Sequence, residues 1–154
     1  MKKEIFPITL VLILALSRLI PHPPNFTPII AVAIMSAYFF KNVYFSLAVL
    51  LISMFISDIF IGFYNNMLLI YFTISLISFT FFQFAKILNS KNLLFFSLAG
   101  SVIFFVISNF GVWLFGDLYE KNLNGLIYCY TLAIPFFVNT ILSTILYSYL
   151  AYYA

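Results

Sequence analysis

The sequence predicts an all-α integral membrane protein with six transmembrane helices, and three observations carry that expectation. First, 65% of the 154 residues are hydrophobic and only 7% are charged, whereas soluble domains carry about 25% charge. So few charges cannot cover a soluble fold, and most of the surface must face lipid. Second, the apolar residues gather into six runs that approach or exceed the roughly 17–25 residues a spanning helix needs. Third, Lys and Arg are unevenly shared between alternate breaks, as membrane topology signals are. The length suits one domain, residues 1–154.

The first expected span, Ile5–Ile20, follows Lys2 and Lys3 and has small residues, Ala15 and Ser17, spaced like a signal-peptide cleavage site. Glu4 spoils a basic leader, however, and the apolar run continues through Leu19–Ile20, so a retained helix is expected. The second span, Phe26–Phe40, is short, which implies either tilt or a start inside the membrane just after the prolines. Its Ala33 and Ala37 form a small-xxx-small pair suited to close helix packing.

The third span is Tyr44–Ile61, closed by Gly62 as a helix C-cap and by Asn65–Asn66 as turn formers. The fourth and fifth are Met67–Leu88 and Leu93–Phe115. The sixth, Gly125–Tyr153, carries Pro135, which removes a backbone hydrogen bond and should kink the helix. Asn139, one turn later, offers an amide to the freed carbonyls.

Lys2, Lys3, Lys41, Lys86 and Lys91 fall on one face, and Arg18 and Lys121 on the other. The face richer in Lys and Arg is cytoplasmic, which places both termini in the cytoplasm. The opposite face then receives "RLIPHPPNF", "SDIFIGFYNN" and "NFGVWLFGDLYEKNLNG". His22, Asp58, Trp113, Asp117 and Glu120 all lie there, although the assignment used only Lys and Arg. One face carries targeting charge and the other carries chemistry.

Several classes are excluded or unsupported. The formal charge of +3 comes from scattered residues and forms no basic stripe for nucleic acid. The single cysteine, Cys129, allows no intrachain disulfide and no all-Cys metal site, and reads as a buried inert thiol. No phosphate loop, HExxH, GxSxG or CxxC is present. No metal, cofactor or enzymatic activity is expected.

Six residues are candidates for solute binding: Arg18, His22, Asn25, Asp58, Asn109 and Trp113. Ionisable groups at membrane depth are costly and tend to be paired or functional. Arg18 and Asp58 therefore form either a charged pair or two separate contacts at the floor of an outward cavity; the structural alternative is interfacial anchoring by snorkelling. His22 and Asn25 lie in "PHPPN", whose prolines make a stiff, non-helical connector. Such a loop can hold an imidazole toward a ligand, or serve as a rigid elbow. Asn109 and Trp113 are four apart and share a helix face. An amide beside a flat aromatic suits a planar hydrogen-bonding ligand, while the plainer roles are an interhelical hydrogen bond and an interfacial belt. Asp117, Glu120 and Lys121 read as a solvated loop.

The ordered stretches "SRLIPHPPNFTPI", "SDIFIGFYNN" and "NFGVWLFGDLYEKNLNGLIYCYTLAIPFFVNT" resemble a family of small bacterial multi-pass membrane proteins of unknown function, over nearly the whole chain. That family is in turn similar to the S components of energy-coupling factor transporters. The resemblance implies six helices, cytoplasmic termini in the bacterial cytoplasmic membrane, and a vitamin or metal site built from outward loops. It also implies an energising transporter module, or another membrane protein, as partner. S components carry an Ala-x-x-x-Ala docking face on their first helix; here the alanine pair lies on the second. The expected function is capture of a small micronutrient such as a vitamin or precursor. The alternative is a structural or assembly role in the cell envelope.

Overall fold

A computed structural model describes residues 2–154, with side chains from Ile5 onward; Lys2, Lys3 and Glu4, used above for topology and for the leader, have side chains outside the described residues. The chain forms six α-helices: α1 Lys2–Leu16, α2 Ile29–Phe39, α3 Val43–Ile61, α4 Met67–Phe84, α5 Leu93–Phe115 and α6 Leu123–Tyr153. Short 3-10 turns extend α1 over Ser17–Leu19 and α4 over Ala85–Ile87. No strand occurs among the described residues.

Four segments are long and apolar enough to cross a membrane: Val43–Ile61, Met67–Ile87, Leu93–Phe115 and Leu123–Tyr153. Only 28–39% of each of these is buried, and the rest presents side chains such as Phe72, Phe95, Val106 and Leu132 outward. Such a surface is compatible with a lipid surround. The two shorter apolar helices are Ile5–Leu19 and Ile29–Phe39.

The ends of the elements follow local chemistry. Asn42 and Asn122 cap α3 and α6, their side-chain oxygens accepting from Phe45 N at 3.1 Å and Gly125 N at 2.8 Å. Gly62 ends α3 at φ 97°, a conformation that costs glycine little. Between α4 and α5, Asn89 and Asn92 bond each other's backbone N–H. Helix α6 runs unbroken through Pro135. The Asn139 amide is engaged by the α1–α2 connection, where Nδ2 donates to Pro24 O at 2.9 Å, instead of serving the carbonyls freed by Pro135.

Helix α2 is the central post. All nine residues from Ile29 to Ala37 are buried, as expected for a helix that is apolar all round. Around it α1, α3, α4, α5 and α6 follow one another, each touching α2. Close approach depends on small residues: Ala33 and Ala37 are covered, and a Cβ on Gly100 of α5 would meet Ile30 Cγ2 at 2.9 Å. Buried hydroxyls link the helices, with Ser78 of α4 within 3.3 Å of Ser36 and 3.4 Å of Ser46.

The short central helix sets the depth of everything attached to it. Eleven residues of α2 rise only about 16 Å, roughly half the hydrocarbon thickness. Its C-terminal end meets the end of α6 through Tyr38 and Tyr152, whose ring centroids are 5.6 Å apart. Its N-terminal end therefore stops partway along the bundle, level with Thr140 of α6 rather than with that helix's start.

Candidate functional site

The site begins where α1 tightens into its 3-10 turn and presents Arg18 to the last turn of α3. Arg18 Nη1 lies 2.7 Å from Asp58 Oδ1 and donates to Ser57 Oγ at 2.8 Å. The contact to Oδ1 is an ion pair by distance rather than an aligned hydrogen bond. Asp58 is fully buried, and the Arg18 side chain is 7% exposed. The second carboxylate oxygen, Oδ2, accepts from Tyr71 OH of α4 at 2.7 Å. Ser57 in turn donates to Met54 O at 2.8 Å, which fixes its oxygen as an acceptor for Arg18. One buried network thus joins α1, α3 and α4.

Residues 20–28 form the cover. A turn closes with Phe26 N on Pro23 O at 2.9 Å. Asn25 takes φ 60°, the left-handed conformation that asparagine tolerates better than most residues. His22 is exposed, with Nδ1 2.9 Å from Pro23 O. The cover is held down by the Asn139–Pro24 bond and by Phe26, whose ring meets Tyr147 edge-on at 6.3 Å.

Beneath this cover lies a cavity of about 240 Å³. Arg18, His22 and Asn25 contribute to its wall, joined by Thr27 and by Ile29 and Ile30 at the start of α2. Tyr64 and Ile70 close it from the α3–α4 side. Its deep side is formed by Thr140 and by Phe104, the middle residue of the 23-residue α5. That position is about 17 Å below the Phe115 end of the helix. Burial, followed by the Asp58 charge, raises the Tyr64 phenol above its ordinary pKa, so the phenol is held in its neutral form.

The six expected site residues therefore divide. Arg18, His22 and Asn25 share the cavity, and Asp58 stands behind Arg18 without lining the wall. Asn109 and Trp113 do not line it. Asn109 Nδ2 donates to Phe105 O at 2.8 Å within its own helix, and the Asn109 backbone carbonyl accepts from Cys129 Sγ at 3.4 Å. Trp113 Nε1 donates to Glu120 O at 2.9 Å, bracing the α5–α6 connection. Lys121 Nζ caps the end of α5 through Trp113 O and Gly116 O. Sequence reasoning missed Thr27, Tyr64, Tyr71 and Thr140. Thr140 follows Asn139 directly, and that polar pair in an apolar helix was the one available signal; the tyrosines had none, as two among 11. Among the described residues, no three His, Cys, Asp or Glu side chains gather as a metal-ligand set.

The fold and site define an all-helical, lipid-compatible bundle with a buried ion pair beside a deep cavity of mixed polar and apolar lining. The chain matches the family of unknown function DUF6580 over residues 1–154 and belongs to that family. No curated protein and no solved structure matches it.

Proposed function

We propose that the protein is a membrane-embedded substrate-capture protein, similar to an S component, which takes up a small micronutrient such as a vitamin or precursor. In this reading all six helices lie in the bacterial cytoplasmic membrane with both termini cytoplasmic. The short α2 returns from a re-entrant α1–α2 connection, so the cavity opens to the outer face. One observation carries the reading: a cavity with polar and apolar walls reaches the middle of a long apolar helix and has a buried guanidinium in its wall. Ionisable side chains buried among membrane-spanning helices are costly and mark paired or functional positions.

The chain has no ATP-binding motif, so energised uptake requires a partner. The Ala33–Ala37 pair is packed inside the bundle, so such a partner would dock on another face. To test capture, the full chain is purified in detergent. Copurifying small molecules are identified by mass spectrometry, and a vitamin and precursor panel is screened by thermal shift. Capture predicts at least one compound that raises the unfolding midpoint. Absence of any stabilising compound, together with unchanged growth of an Arg18→Lys strain on limiting nutrients, would leave the envelope-assembly role as the better account.

A further inference from the structure

We infer that the solute taken by this cavity carries an oxyanion, a carboxylate or a phosphate, seated between the cavity-facing edge of Arg18 and the N-terminus of α2. This rests on the capture reading and names its substrate class.

The charge that faces the cavity is positive. The contacts of Arg18 to Asp58, Ser57 and the Met54 sulfur all run through Nη1. The Tyr64 phenol, itself in the cavity wall, is a further side-chain partner of Arg18, and the Arg18 side chain is more than nine-tenths buried. A guanidinium presents five N–H donors in a planar fork suited to carboxylate and phosphate. Here one corner is clamped and the other edge is left at the cavity wall. Asp58 is fully buried behind that corner, and no carboxylate lines the cavity. The arrangement therefore presents no counter-charge to a cationic ligand.

The start of α2 adds to the same sign. Pro28 is its N-cap and makes no side-chain bond to the helix. The first helical bond runs from Val32 N to Pro28 O at 2.8 Å, so the N–H groups of Ile29, Ile30 and Ala31 precede it without an intrahelical acceptor. All three residues are buried, and Ile29 and Ile30 line the cavity. Unsatisfied N–H groups at the positive end of a helix form an anion site. The Thr27 and Tyr64 hydroxyls complete a wall rich in donors. At about 240 Å³ the space is below the usual range for drug-sized ligands, so the solute is small.

The test uses the full chain in a neutral detergent, with benzoate, inorganic phosphate and the uncharged benzamide as probes. Binding is read by calorimetry and by the shift in unfolding midpoint. The expected result is stabilisation by benzoate, phosphate or both, and none by benzamide at equal concentration. Arg18→Lys keeps one nitrogen for Asp58 and loses the second edge, so oxyanion affinity falls at least tenfold. If that variant fails to fold, Thr27→Val, which leaves the ion pair intact, serves instead and lowers the affinity several-fold. Equal binding of benzoate and benzamide overturns the oxyanion inference while capture stands. Failure of these probes and of the vitamin panel overturns both. If phosphatidylglycerol added to the micelle stabilises the protein and the small oxyanions do not, the site holds a lipid headgroup and the small-solute inference is overturned.

Discussion

Removing one partner of the Arg18–Asp58 pair should be far worse than removing both. Asp58 is fully buried, its Oδ1 lies 2.7 Å from Arg18 Nη1, and its Oδ2 accepts from Tyr71 at 2.7 Å. In Arg18→Met the carboxylate keeps only the tyrosine and remains an uncompensated buried charge. Breaking a buried pair this way costs about 3–5 kcal/mol. In Asp58→Asn the guanidinium keeps Ser57 but loses its counter-charge, at a similar cost. The double variant Arg18→Met with Asp58→Asn contains neither charge, and exchanging a buried pair for uncharged groups is often close to neutral. Its destabilisation should therefore fall about 2–3 kcal/mol or more below the sum of the single effects, well beyond the roughly 0.5 kcal/mol within which independent sites add. Equilibrium unfolding in mixed micelles with rising dodecyl sulfate measures the cycle. Single effects that add within that error would show that the two groups do not depend on each other, and the network that holds Arg18 at the cavity wall would have to be abandoned.

Other perturbations test the parts around that network. Gly125→Ala would place a Cβ 2.0 Å from Glu120 O; it should destabilise the bundle by about 1–3 kcal/mol through forced backbone movement, read by the same unfolding assay. Asn139→Ala removes the bond to Pro24 O. It should loosen residues 20–28 by about 1 kcal/mol, seen as faster hydrogen exchange confined to that segment and not in α3 or α4. Asn122→Ala removes the α6 cap and should cost about 1 kcal/mol, in contrast to Tyr128→Ala on the exposed face of the same helix. Trp113→Phe deletes the donor to Glu120 O without touching the cavity; it should lower the unfolding midpoint by a few degrees and leave oxyanion binding unchanged in calorimetry.

Much of this architecture is legible in the sequence, because hydrophobic runs and asparagine caps act locally. Leu93–Phe115 has the bounds its apolar run predicts, and Gly62 ends α3 as its conformational freedom allows. The second helix starts at Ile29 rather than Phe26. The apolar run alone could not show this, because Asn25 in the left-handed region and the Pro23 turn govern where the helix can begin. Arg18 and Asp58 stood out as charges in apolar runs, and such charges tend to be paired. Their geometry, one corner clamped and the other edge turned to the cavity, depends on three helices meeting and leaves no trace in spacing. Asn109 and Trp113 share a helix face as their four-residue spacing requires, yet spacing does not say what lies opposite. The chain returns at Glu120 to take the indole, and the Asn109 amide bonds back along its own helix. Thr27, Tyr64 and Thr140 are ordinary residues made notable only by the fold.

The claim on which the rest depends is that the cavity under residues 20–28 is open to the outer face of the membrane and admits a solute. Cys129 is the only cysteine and is buried, so a Cys129→Ser background makes single introduced thiols readable. His22→Cys places one in the exposed cover, and Lys41→Cys places one in the exposed α2–α3 connection at the opposite end. In intact cells, a membrane-impermeant thiol reagent should modify position 22 and spare position 41 until the cells are opened, and an oxyanion that stabilises the protein should slow modification at position 22. Modification of position 41 from outside, with position 22 reached only after lysis, would contradict the account.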